Sequence, residues 1–167
     1  MAKLLLSLHV LAAVLAIGPV TVAASMFPKA LRHAHSEPGD LEALATLRTL
    51  HRICRVYAGV GVAVPVFGFA TASSLGVLGS GWLITSIVLT TAAAATLALL
   101  ILPAQDSALD AARALDAAQA PGSVRAIGSG PGLRSAARLA ALTGVFNLLW
   151  ATVTVLMIIR PGSTTGA

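Results

Sequence analysis

Four long apolar stretches, Leu4–Phe27, Val56–Leu78, Trp82–Leu102 and Leu139–Ile159, are separated by segments that hold nearly every charge. A helix of about 20 apolar residues crosses the roughly 30 Å hydrocarbon core of a bilayer. Each stretch meets that length. The chain is 57% hydrophobic and only 10% charged. Soluble domains carry about 25% charged residues, and a short soluble chain cannot hide this much apolar surface. Lipid can solvate it, provided that every backbone polar group is satisfied within the helix. The expected fold is therefore all-α, a bundle of four transmembrane helices. It forms a single membrane domain over residues 1–160, with residues 161–167 as a disordered tail. Four crossings use up the 167 residues and leave no room for a soluble enzyme domain.

Charge then sets orientation. Segments 28–55 and 103–138 carry Lys29, Arg32, Arg48, Arg52, Arg55, Arg113, Arg125, Arg134 and Arg138, whereas the other flanks carry only Lys3 and Arg160. Positive flanks stay in the cytoplasm, so both termini are expected outside a plasma membrane. Residues 1–25 have the layout of a secretory signal. Cleavage after Ala24 would place those nine basic residues on the wrong side, so the first stretch is read as a retained span. The net charge of +5 flanks apolar spans rather than forming a nucleic-acid motif, and no nucleic-acid partner is expected.

Local signals divide the chain further. Gly18-Pro19 predicts a kink in the first span, and Phe27-Pro28 its inner end. Residues 28–40, with His33, His35 and the breakers Ser36 to Asp40, read as a loop. Asp40 is the expected N-cap of the next helix, with Glu42 in its first turn. Leu41, Leu44, Leu47, Leu50 and Cys54 recur at helical spacing. They predict an amphipathic cytoplasmic extension that runs straight into the second span. Pro103 is expected to end the third span. A short alanine-rich helix from Gln105 to Gln119 follows, and Pro121–Gly132 reads as a flexible connection.

His9 is the main candidate for chemistry. It lies about one and a half turns inside the first span, and an ionisable residue there invites a functional reading. Histidine ligates haem or copper and relays protons; the alternative is a neutral ring hydrogen-bonded to a neighbouring helix. His51 lies about 27 Å deeper by helix rise and cannot share a metal with His9. His33 and His35 read as solvated, with a loose metal site near them as the alternative; no metal ligands are assigned. Cys54 reads as a small buried residue, or alternatively as a thiol activated by Arg52 and Arg55. Arg48, Arg52 and Arg55 form one basic stripe, suited to anionic lipid head groups or to an anionic ligand. Gly18, Pro19, Gly61, Pro65 and Asn147 are the expected helix-packing positions. The sequence holds no nucleophile–base pair, no paired carboxylates and no phosphate loop, so no catalytic residue is assigned.

The opening Leu4-Leu-Leu-Ser-Leu-His9, with Gly18 downstream and then a basic loop and Arg48, His51 and Arg52, resembles an uncharacterised family of small bacterial integral membrane proteins. That family in turn resembles the membrane domain of copper resistance protein D and the HemJ-type protoporphyrinogen oxidase. The resemblance covers about residues 1–102 and implies haem or copper near His9. Within the third span this chain has neither histidine nor lysine, and it has only three methionines in all. The expectation is a non-enzymatic structural or accessory subunit, with a membrane-protein partner or a second copy of itself. A haem-binding redox protein using His9 and a small transporter or channel subunit are the alternatives.

Overall fold

A computed structural model describes residues 1–37, 39–118 and 130–162, apart from the side chains of 130–132. These residues form α1 (Ala2–Ser36), α2 (Leu41–Val60), α3 (Ala63–Leu75), α4 (Gly81–Ala95), α5 (Leu102–Ala118) and α6 (Gly130–Ile159), with no strand. A π-helical segment, Thr96–Ile101, joins α4 to α5 without a break. Four continuous or nearly continuous rods result: Ala2–Ser36, Leu41–Leu75, Gly81–Ala118 and Leu133–Ile159. All four are long and apolar enough to cross a membrane. The protein is an all-α four-helix bundle. The connection expected over Pro121–Gly132 lies outside the described residues as far as 129, and so does the tail from 163.

The helices outrun the apolar stretches because proline does not stop them. A proline in a helix interior costs about 3 kcal/mol through a lost hydrogen bond and a ring clash. The sequence ends helices at Pro28 and Pro103, and the structure corrects both. Pro28 cannot donate to the Ala24 carbonyl. Thr143 Oγ1, on α6, donates to that carbonyl instead at 3.4 Å. Re-satisfying a freed carbonyl from a neighbouring helix is what a water-free setting demands. So α1 continues for two turns, and the expected loop 28–40 shrinks to a turn between Glu37 and Asp40. Gly39 in that turn has φ +94°, a conformation that favours glycine. Ahead of Pro103, the π segment widens the helix to admit the ring, and the Leu102 N–H reaches back to Leu97 O.

Pro65 acts differently. Its unclaimed acceptor, Gly61 O, takes the Val64 N–H at 3.1 Å in a tighter turn. The rod expected to run straight from Leu41 is therefore interrupted at Gly61 and Val62, which separate α2 from α3. The N-cap is as read: Asp40 Oδ1 accepts from the N–H groups of Glu42 at 2.8 Å and Ala43 at 3.3 Å.

α1 is the central helix and packs against α2, α3 and α6, while α4 leans on α6. The densest core lies at the charged end. There Phe27 and Leu31 meet Leu47, Leu50 and Cys54 of α2, Leu109 of α5 and Leu139 of α6. In mid-bundle, Val20, Ala93, Leu97, Ile101 and Phe146 form a second cluster, with Phe146 edge-on to Trp150. Toward the other end the core thins to Ala12, Ala16 and Val64. Val14, Phe69, Val88, Leu148 and Ile158 all point outward. At that end the Arg160 guanidinium lies 5.7 Å from the Trp82 ring centre, which ties the end of α6 to the start of α4.

Candidate functional site

Two interhelical polar contacts stand out from the apolar packing. The first joins α2 to α5. His51 and Cys54 lie three residues apart on the buried face of α2, in line with Leu47. Gln105 reaches that face from α5 and is completely buried. The register explains why. Ala93, Leu97, Ile101 and Gln105 are all buried at four-residue steps. In a regular α-helix such steps precess by about 40° each. The wider π turn between them offsets the precession and brings Gln105 round to α2.

Gln105 bridges the two α2 side chains. Its Oε1 is 3.1 Å from His51 Nδ1, and its Nε2 is 3.7 Å from Cys54 Sγ. On the far side of the ring, Asp106 Oδ1 lies 2.9 Å from His51 Nε2, within ion-pair reach but without the alignment of a linear hydrogen bond. Asp106 itself is solvent-facing, so the contact leads from a buried thiol to the surface of the charged end. With Oε1 toward the ring, Nδ1 carries the hydrogen of that contact. Turning the amide over reverses its donor and acceptor toward both α2 side chains. Either arrangement clamps α5 to α2. Cys54 has no exposed surface. A thiol so enclosed cannot meet a substrate, which favours its reading as a small buried residue over that of an activated nucleophile.

The second contact joins α1 to α3. His9 Nδ1 is 2.9 Å from the backbone carbonyl of Val64. The ring lies flush against Gly68, where an added Cβ would come 2.8 Å from His9 Cε1. Gly68 is thus the glycine that admits a partner helix. A Cβ at Gly18 would meet nothing within 4 Å, and one at Gly61 would meet only its own helix, at Ala58 O and Tyr57 O. Because a backbone carbonyl can only accept, Nδ1 carries a hydrogen, and in the neutral ring Nε2 is then the atom with the lone pair. His9 and His51 share no partner, as their depths led one to expect.

The remaining candidates are placed as follows. Arg48, Arg52 and Arg55 are exposed along one flank of the buried face of α2 that carries His51, and none forms an ion pair among the described residues. Asn147 Nδ2 lies 3.4 Å from Ser25 Oγ between α6 and α1, while its Oδ1 is buried without a partner. Pro19 lies within α1, which runs on past it. His33 and His35 are on the last turn of α1 rather than in a loop. Gln105 and Gly68 were not singled out from sequence. For Gln105 the available signal was an amide directly after an apolar run; for Gly68 there was none beyond its being one of several glycines.

Comparison with protein-family models, with curated proteins and with solved structures yields no match.

Proposed function

We propose that this chain is a multi-pass protein of the plasma membrane that works as a structural or accessory subunit rather than as a catalyst. The observation that carries the reading is where its polar groups go. His9, His51, Gln105 and Thr143 are each engaged by another helix, while apolar side chains face outward along all four rods. In the apolar window of each rod the buried share is 33%, 11%, 17% and 17% in chain order, so most of that surface is offered to lipid or to a neighbouring membrane protein. All six acidic residues and most basic ones lie at the end that holds the α1–α2 turn. That end is the cytoplasmic one by the positive-inside rule, and both termini are outside. The unpaired arginines of α2 meet anionic head groups there.

The test has two parts. Reporters fused after Gly128 and at the C-terminus read orientation: activity inside for the first and outside for the second is expected, and the reverse overturns the topology. Cross-linking in the native membrane followed by mass measurement reads assembly. A monomer with no cross-linked partner would remove the subunit reading.

A second reading, haem-binding through His9, is favoured by one observation: its Nδ1–H is held by a carbonyl, which fixes the ring and leaves Nε2 as a donor atom, as in haem and metal sites. The tautomer fits a haem. A second axial histidine does not follow, because His33, His35 and His51 all lie at the other end of the bundle. When bound, a haem would supply one-electron chemistry, and His9 would be its proximal ligand. The visible spectrum of the purified protein decides: a Soret band that disappears in His9→Ala supports this reading, and a colourless protein removes it.

A further inference from the structure

We propose that the turn between α1 and α2 holds a divalent metal site made by His33, Glu37 and Asp40, with Zn²⁺ as its best-fitting ion. One ligand atom from each of these residues lies within 4.8 Å of the other two. Glu37 is the residue that follows α1, and its N–H donates to the His33 carbonyl at 3.0 Å, which sets it one turn beyond the histidine. Asp40 faces them from across the turn. Its Oδ1 is committed to capping α2, which leaves Oδ2 directed at His33 Nε2, 3.6 Å away. A bound first-row dication stands about 2.0 to 2.2 Å from each donor, so the three atoms must close to about 3 to 3.5 Å of one another. Rotamer shifts of the exposed His33 and Glu37 accomplish this without moving the backbone.

No lysine or arginine competes for these carboxylates among the described residues, although the chain has 11 of them, several at this end. Two carboxylates converge beside an imidazole that partners only one of them. The ion pair between His33 and Asp40 accounts for those two side chains and leaves Glu37 unexplained. The donor set also selects the ion. One imidazole nitrogen with two carboxylate oxygens suits Zn²⁺ and its first-row neighbours, whereas Mg²⁺ and Ca²⁺ prefer oxygen alone. Water completes the coordination. The metal would fasten the end of α1 to the N-cap of α2, about two turns before the arginine stripe begins.

The full chain, purified in detergent through a tag that contains no histidine, is titrated with Zn²⁺ by calorimetry and with Co²⁺ by visible absorption. One equivalent of Zn²⁺ is expected. His33→Ala, Glu37→Gln and Asp40→Asn should each weaken binding by at least about tenfold. Asparagine caps helices as well as aspartate does, so Asp40→Asn removes the ligand charge while α2 keeps its cap. His35→Ala should bind as the parent does, and circular dichroism should show unchanged helicity throughout. Absence of stoichiometric Zn²⁺ binding overturns the site, leaving only an exposed ion pair. Binding that survives His33→Ala, or that is lost in His35→Ala instead, overturns the assignment.

Discussion

Two histidines enter helix interfaces at opposite ends of the bundle, and they are held by opposite kinds of partner. His9 is half-buried, leans on a glycine and bonds a backbone carbonyl of α3. His51 is buried and sits between two side chains of α5. The first contact needs only an acceptor that every residue carries and a neighbour without a side chain. The second needs a particular amide at a particular register, set by a π turn. A histidine conspicuous in sequence thus has a generic partner, and an inconspicuous one has a specific partner. Burial, which decides how much a broken contact costs, follows the second.

Removing the specific partner should have the largest effect. Gln105→Ala leaves a cavity and strips His51 Nδ1 and Cys54 of their partner, at a cost of about 3 kcal/mol. Denaturant unfolding in mixed micelles measures it, and a loss no greater than that of an exposed substitution would break the comparison. Gly68→Ala comes next. Its methyl group intrudes on the His9 ring and should cost about 1 to 2 kcal/mol. The same change in a His9→Ala background should cost almost nothing, so the double-mutant cycle isolates the contact. A cost that persists without His9 would show that Gly68 serves something else.

His9→Ala alone should cost less, about 0.6 to 1 kcal/mol, the usual worth of one interhelical hydrogen bond in a membrane protein. A larger loss would raise His9 to the rank of His51. The smallest expected change in stability is that of replacing Arg48, Arg52 and Arg55 together by glutamine, within about 0.5 kcal/mol because their side chains are exposed. Reconstitution should nonetheless lose its preference for anionic over neutral vesicles. Retained preference would move the lipid contact elsewhere.

Much of the architecture was legible in the sequence because it rests on composition over long windows. The four apolar runs and the helix-start signal at Asp40 are local properties. The capping aspartate is also local: its side chain needs only the two N–H groups that follow. The helix ends at Pro28 and Pro103 were misread for the converse reason. A proline ends a helix only when nothing else satisfies the carbonyl it abandons, and at Ala24 the substitute donor is Thr143, more than a hundred residues away. The candidate sites divide in the same way. His9 declared itself as an ionisable residue in an apolar run. Gln105 and Gly68 did not, because their roles exist only once α5 meets α2 and α3 meets α1.

By itself the sequence determined that this chain forms four apolar helices with its charges gathered at one end, since hydropathy and charge act over every conformation the chain can take. Only the tertiary structure decided which polar groups face one another. That choice depends on helix phase, and phase is set by one π turn before Pro103, one break before Pro65 and the absence of a single Cβ at Gly68.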